Sequence, residues 1–397
     1  MKYTYEQYEA FYYLNKLLPF LQRNHNYPHV IIRINNRDGN GILTPNSSES
    51  DEYSKSPQAQ TLRKKIIKAL AKQGAVYPTL PPSMQQNNIL HLSQIFHLNQ
   101  QEEQIVQFLA AVYNNEFLSW ALEEFSSSIL EEKDILTEVA QCPRGQSYAI
   151  LDEKAPLFRL GIVKGYRYRS GVQLTGWAQR FINTSHLDNE NCFRCLLGST
   201  INEDNLLTKP DFAYIESADL ALRLMKQDKR HKGFNILLYG VPGTGKTSFA
   251  KYLAHAAKLH LYPVGVCNEG EEEKNYRLQQ LYRKQYLLKN VKNACILFDE
   301  GEDMFSSLET RTSKMEINNL LENNEVPVIW TTNKIHRMDP AYIRRFTLAV
   351  CFNKPPVEVR QKIWSKYLTE NKITCGKEDT LKLAKKYEVP PSMIAGA

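Results

Sequence analysis

The spacing of apolar positions divides the chain into a first part with helical periods and a second part in which strands and helices alternate. Between residues 5 and 22, Tyr8, Phe11, Tyr12, Leu14, Leu17, Leu18 and Leu21 recur at three- and four-residue intervals, which predicts an amphipathic helix. A short β-rich run, Val30 to Ile34, follows. The chain then turns polar over residues 35–60, which predicts a long loop or disordered linker. A basic helix is predicted at about 61–73, and Pro78, Pro81 and Pro82 mark the next break. From about 89 to 140 the period is helical again, carried by Ile105, Phe108, Leu109, Val112 and Tyr113. Residues 157–182 read as a small hairpin with a turn near Gly165 and a second strand at 172–174, followed by a short helix at 177–182. Helices followed by a hairpin fit a winged-helix-like module at about 90–200, and equally a structural helical cap with a β-ribbon.

From Phe234 the pattern changes. Strand-like runs appear at 234–239, 259–264, 294–298, 327–332 and 347–352, with helices between them at about 245–257, 273–289 and 311–323. Strands alternating with helices of ten to fifteen residues predict a parallel sheet covered on both faces. After Pro355 and Pro356 the pattern is helical only, at 358–369 and 378–387.

Composition narrows the class. Apolar residues are 42% and charged residues 23%, which suits a globular protein and excludes collagen-like and wholly disordered chains. No apolar run approaches a membrane span, and the first residues lack the basic and apolar regions of a secretory signal, so a cytoplasmic location is expected. The net charge of +7 is uneven: residues 1–210 carry 21 basic and 21 acidic side chains, residues 211–397 carry 29 and 22. That excess is mild and fits solvated helix faces. Seven cysteines without a signal peptide argue against a disulfide framework.

Residues 240–247 match G-x-x-x-x-G-K-[ST], after a predicted buried strand and before a predicted helix. A triphosphate can be surrounded by backbone N–H groups at a helix N-terminus only where the chain curls tightly. Gly240, Gly243 and Gly245 permit that curl, and Val241, Pro242 and Thr244 complete the loop with Ser248 just beyond it. Lys246 would reach the β- and γ-phosphates as a point charge, and the Thr247 hydroxyl would join the shell of Mg²⁺. The run Ala294 to Phe298 ends in Asp299 and Glu300, and two carboxylates at the end of a buried strand need a cation or a reacting water. Asp299 would hold Mg²⁺ through water and Glu300 would deprotonate the water that attacks the γ-phosphate. Glu302 and Asp303 are read as structural. The next strand ends in Thr331, Thr332 and Asn333, where the Asn333 amide could orient that water or the γ-phosphate.

Taken in order, these segments resemble the AAA+ ATPases, and among them the AAA-type branch. Residues 240–247 resemble Walker A, 296–300 Walker B, and 331–333 the sensor-1 strand end. Asp339, Pro340 and Ala341 followed by Arg344, Arg345 and Phe346 resemble the second region of homology, with its arginine fingers. Residues 210–215 are similar to the stretch that wraps the adenine. Three further runs, at 235–240, 298–303 and 318–322, are similar to a group of poorly characterised bacterial ATPases with a helical or winged-helix N-terminal region.

The resemblance implies an α/β P-loop NTPase core with a helical lid, preceded by a mainly helical N-terminal domain. The corresponding division is a helical segment at 1–88, a helical or winged-helix-like domain at 89–205, the ATPase core at 210–354 and a partial lid at 355–397. It also implies ATP and Mg²⁺ as cofactors and a ring, usually a hexamer, in which an arginine of one subunit reaches its neighbour's γ-phosphate. Three features depart from that pattern. The stretch 267–273 is acidic and has no aromatic residue, unlike the polypeptide-threading loop of many unfoldases. The spacing of Arg344 and Arg345 is shortened, which leaves open which is the finger. Residues 390–397 resemble the start of another lid helix, as in a truncated product or an incomplete lid.

Other constellations carry less. Cys192 and Cys195 form a lone C-x-x-C with His186 nearby, too few ligands for structural zinc. The basic residues Arg63, Lys64, Lys65, Lys68 and Lys72 are read as a solvated face. The expected activity is Mg²⁺-dependent ATP hydrolysis coupled to remodelling of a protein partner, with no membrane partner. The alternatives are a nucleotide-dependent DNA-associated ATPase, disfavoured by the neutral N-terminal charge balance, and an ATP-binding switch with little turnover.

Overall fold

The computed structural model describes residues 3–21, 57–126, 132–143, 149–165, 172–185, 187, 189–201, 207–227, 231–265, 273–305, 311–391 and 394. The chain divides into two compact units, residues 1–196 and 197–397. The polar stretch expected as a linker at 35–60 lies outside the described residues except at its end, where Pro57 begins a helix, and so does the run Val30 to Ile34.

The first unit is built on α1 (Tyr5–Leu21), whose Ala10, Phe11, Leu14 and Leu17 are almost wholly buried. It packs on α2 (Pro57–Gly74), α4 (Gln100–Asn114), α5 (Glu116–Ser126) and α6 (Glu132–Val139). Segments 1–88 and 89–205 of the sequence-based division therefore contribute to one unit up to residue 196. In α2, Ile66 and Leu70 face α1 while Lys64, Lys65, Lys68 and Lys72 are exposed. Helix α3 (Met84–Phe96) opens with a capping box in which Ser83 and Gln86 satisfy each other's backbone N–H groups. After α7 (Pro156–Arg159) come the antiparallel β1 (Val163–Gly165) and β2 (Val172–Leu174), then α8 (Gly176–Ile182) and α9 (Asn189–Leu197). The Thr175 hydroxyl and the Trp177 indole N–H both donate to Gly161 O at 2.5 Å, which closes the hairpin onto α8.

The second unit is a five-stranded sheet in the order β4-β5-β6-β3-β7, with every neighbouring pair parallel. Its strands are β3 (Asn235–Gly240), β4 (His260–Pro263), β5 (Ala294–Phe298), β6 (Val328–Thr332) and β7 (Leu348–Phe352). Alternate residues of each strand feed two cores. Leu237, Ile296, Phe298, Val328 and Trp330 meet Leu281 and Leu288 of α12 (Glu273–Leu288) and Ile317, Leu320 and Leu321 of α13 (Arg311–Asn323). Ile236, Leu238, Cys295, Leu297 and Ile329 meet Ala221 and Met225 of α10 (Ala218–Met225) and Phe249, Ala250 and Leu253 of α11 (Lys246–Ala256). This is the α/β fold expected of a parallel sheet buried on both faces. The short α14 (Pro340–Ile343) precedes β7, and α15 (Val357–Glu370) and α16 (Lys377–Lys386) pack together after it. No helix among the described residues is long and apolar enough to cross a membrane.

Candidate functional site at the carboxyl ends of the central strands

The connection after β3 leads past β6 toward β4, whereas the connection after β6 leads past β3 to β7. The carboxyl ends of β3 and β6 therefore flank a topological switch point, where open α/β sheets bind their ligands. Register places Tyr239 beside Thr332 and Phe298 beside Trp330, so the segments after β3, β5 and β6 leave the sheet side by side.

The loop after β3 is held by left-handed backbone at Gly240, Gly243 and Gly245. A Cβ on Gly240 would run into the Phe352 carbonyl oxygen of β7, so this glycine is required by strand packing. A Cβ on Gly245 would meet nothing within 4 Å. Its side faces open space at the N-terminus of α11, where the first helical N–H groups have no intrahelical acceptor. Lys246 is buried, with Nζ donating to Gly240 O at 3.0 Å and Val241 O at 2.9 Å. Burial lowers its pKa from the usual lysine value, and Glu302, Asp299 and Glu300 act against that shift. The Thr244 hydroxyl donates to Val241 O at 2.9 Å and closes the loop on itself. The Tyr214 hydroxyl reaches Thr244 O at 3.4 Å, and burial pushes that phenol up to about 12. The preceding Phe212 is buried against Phe249 and Tyr252, so residues 210–215 lie along α11 beside the loop. Val241 and Pro242 are exposed at the loop's tip, and Ser248 is half-buried in the first turn of α11.

The acidic strand end closes on this loop. The Thr247 hydroxyl lies 3.1 Å from each Asp299 carboxylate oxygen. Thr331 donates from its hydroxyl to Asp299 Oδ1 at 2.5 Å and accepts the Glu300 N–H at 2.9 Å. Glu300 is exposed and adopts φ 51° and ψ 55°, a left-handed conformation unusual for a residue with a side chain. The Arg277 guanidinium of α12 donates to the carbonyls of Asp299 and Glu300 and lies 4.3 Å from the Phe298 ring centroid. Asn333 is half-buried, and its N–H donates to Glu302 Oε1 at 2.5 Å, which gives Glu302 a structural task at the end of β6.

The two arginines differ sharply. Arg345 donates from Nε to Glu322 Oε1 at 2.6 Å and from its guanidinium to Ala341 O. Arg344 is exposed; its backbone N–H donates to Pro340 O at 3.3 Å, and its charge adds to those that stabilise the Asp339 carboxylate. Asp339 caps α14 through the Ala341 N–H at 2.9 Å and pairs with Lys314 at 3.3 Å; those two contacts hold its carboxyl below the ordinary aspartate range.

Lys246, Thr247, Asp299, Glu300 and Asn333 thus gather at one end of the sheet. An amine beside a ring of backbone N–H groups suits phosphate, and a hydroxyl facing a carboxylate suits a hydrated divalent cation. Sequence reasoning did not single out Thr331 or Arg277 as site residues. Thr331 had a usable signal, its place at the end of a buried strand beside the carboxylate strand; Arg277 had none, because the oxygens it meets after β5 are main-chain carbonyls.

The remaining candidates stay apart from this cluster. Cys192 is buried, which raises its thiol pKa, while Cys195 is exposed; His186 lies outside the described residues. No group of three or more His, Cys, Asp or Glu side chains among the described residues is placed to hold a metal ion. Of the acidic stretch 267–273, only Glu273 is described, as the first residue of α12.

Residues 236–354 match the family model "ATPase family associated with various cellular activities (AAA)". The chain is 32% identical over 144 residues to protein CdcH of Halobacterium salinarum, covering 32% of this chain and 19% of that protein. It is 27% identical over 159 residues to a spastin homolog of Caenorhabditis elegans, covering 36% and 30%. It is 30% identical over 145 residues to a 26S proteasome regulatory subunit 4 homolog of Encephalitozoon cuniculi, covering 32% and 34%. Among solved structures, the FIGL-1 AAA domain in complex with ADP is similar with a TM-score of 0.43 at 18% identity, covering 53% of this chain and 78% of that one. The chain spans only 10% to 39% of the length of the first five curated relatives.

Proposed function

We propose, from the premise that the chain carries an AAA-family ATPase domain over residues 236–354, that it binds Mg²⁺-ATP, hydrolyses it and uses the cycle to remodel a protein partner. The observation that carries the reading is the contact between Thr247 and Asp299: the hydroxyl after the loop lysine lies 3.1 Å from both oxygens of the carboxylate that ends β5. Thr247 and Asp299 would hold Mg²⁺, which when bound neutralises charge on the phosphates.

Each residue has a task. The backbone N–H groups of residues 243–248 cradle the phosphates. Lys246 Nζ exchanges its two loop carbonyls for β- and γ-phosphate oxygens. Glu300 takes a proton from the attacking water as that water's oxygen bonds to the γ-phosphorus. The bond to the β–γ bridging oxygen breaks, and its electron pair leaves with ADP. Asn333 orients the water from the neighbouring strand end. Arg344 acts in trans on the next subunit of a ring, because its guanidinium is exposed while Arg345 is held by Glu322 and Ala341 of its own chain.

The lid supports coupling to movement. Arg360 of α15 is buried and donates to Pro355 O at 2.6 Å and to Ala384 O of α16 at 3.0 and 3.1 Å, so both lid helices are tied to the residue where β7 gives way to the lid. Similarity to a 26S proteasome regulatory subunit 4 homolog and to a proteasome-associated ATPase supports a protein as the thing remodelled.

A mixing experiment tests the site and its trans arrangement together. Glu300→Gln and Arg344→Ala proteins are each expected to lose ATP turnover by at least about 100-fold. Mixed, they are expected to regain part of it, because some interfaces then combine an intact base with an intact arginine. Wild-type turnover in Glu300→Gln would remove Glu300 as the base, and wild-type turnover in Arg344→Ala would remove Arg344 as the finger.

A further inference from the structure

We propose that Arg277 is a positioning residue for hydrolysis: its guanidinium clamps the main chain of Asp299 and Glu300 so that the two carboxylates keep their aim. The inference rests on the ATPase reading above and adds a residue to it.

Arg277 lies on α12, one turn into the helix, and is 5% exposed. Its two terminal nitrogens donate to successive carbonyls, those of Asp299 and Glu300, the latter at 3.1 Å. Its plane lies over Phe298, the residue just before the pair, and Phe298 in turn stacks on Trp330 of β6 at 4.7 Å and 27°. One planar fork therefore holds three consecutive residues, Phe298 by its ring and the next two by their oxygens. A guanidinium is suited to this, since it spans two acceptors and stacks on an aromatic face at once.

The turn it holds is the one that most needs holding. Glu300 sits in left-handed backbone, which a residue with a side chain adopts only when its surroundings impose it. Thr331 takes the Glu300 N–H from one side, and Arg277 takes the Asp299 and Glu300 carbonyls. With N–H and carbonyls both fixed, the peptide planes on either side of Glu300 are fixed, and so are the directions in which the Asp299 and Glu300 side chains leave the chain. The phosphate cradle lies outside this turn, at residues 243–248, whereas Asp299, which would hold Mg²⁺, lies within it. Loosening the turn should therefore act on the chemical step and leave the affinity for ATP without Mg²⁺ in place.

The test is a steady-state and binding comparison of wild type, Arg277→Gln and Arg277→Lys, with Glu300→Gln alongside. Arg277→Gln is expected to lower kcat at least about tenfold. Its directly measured Kd for ATP without Mg²⁺ should stay within about threefold of wild type. Arg277→Lys keeps the charge but not the fork, so its kcat should fall between the two with the same unchanged affinity. If Arg277→Gln fails to fold, the kcat-against-Kd split in Arg277→Lys decides the matter. A kcat within about twofold of wild type, or a loss of affinity for ATP without Mg²⁺ that parallels the loss of kcat, would overturn the proposal. The controls separate this from the reading beneath it. Turnover in wild type, lost in Glu300→Gln but kept in the Arg277 variants, overturns the positioning role alone, whereas no turnover in wild type overturns both.

Discussion

Thr331 joins the site's two carboxylate residues through one hydroxyl, giving its proton to Asp299 Oδ1 and its lone pair to the Glu300 N–H. A valine of the same shape makes neither bond. Thr331→Val is expected to cost about 1–3 kcal/mol of stability, because a half-buried N–H loses its acceptor, and to lower ATP turnover as the Asp299 carboxylate is released. Denaturant unfolding and a turnover assay check this, and unchanged values in both would contradict it. The adjacent arginines show what single residues conceal in a sequence. Arg344 and Arg345 are chemically identical there, and the positions of Glu322, on α13, and of the Ala341 carbonyl make one a bound group while the other is exposed. Gly240 is a milder case: the motif predicts its presence, and the reason found in the structure is the Phe352 carbonyl of β7.

Helix α12 explains how so irregular an edge of the sheet stays paired. Five of its polar residues are buried, Arg277, Gln280, Arg283, Lys284 and Gln285. Four of them reach main-chain groups. Gln280 accepts the Gly265 N–H after β4, and Gln285 bridges the N–H groups of Glu325 and Val326 and the Val326 carbonyl before β6. Lys284 donates to Leu197 O, and Arg277 holds the carbonyls after β5. Loop backbone that the sheet leaves without partners is satisfied by one helix. Lys284 gives this a pH signature. Burial, with Arg283 adding to it, lowers its pKa from 10.5 to about 7. Between those values the unfolded chain holds the proton and the folded chain releases it, so stability rises with pH across that window and the burden of a buried charge is greatest below it. Lys284→Met should flatten the rise, read as unfolding free energy at successive pH values from about 7 to about 10; an equally steep rise in the variant would contradict it. The strands on either side of α12 were legible because their apolar runs have the length and flanks of buried strands, as at 294–298, and the helix was legible in extent. Its inward polar face was not. Long polar side chains in a helix read as a solvent face, and acceptors on the main chain leave no complementary side chain in the sequence to betray them.

The two units of the chain differ in how much of their chemistry could be read. In residues 197–397 the order of strands, the loop after β3 and the acids after β5 are written in local motifs, and the parallel sheet brings them together by topology alone. In residues 1–196 the helices follow from apolar periods, but packing of α1 against α2, α4, α5 and α6 depends on contacts distant in sequence that no local pattern announces. The account of the protein stands on nucleotide binding in the second unit. Calorimetric titration of Mg²⁺-ATP into wild type and Lys246→Ala, followed by phosphate release from both, addresses it most directly. Wild type is expected to bind and turn over the nucleotide, and Lys246→Ala to lose at least about 2.7 kcal/mol of binding, about 100-fold, with no measurable turnover. A wild type without affinity for Mg²⁺-ATP, or a Lys246→Ala protein that binds and hydrolyses it as well as wild type, would contradict the account.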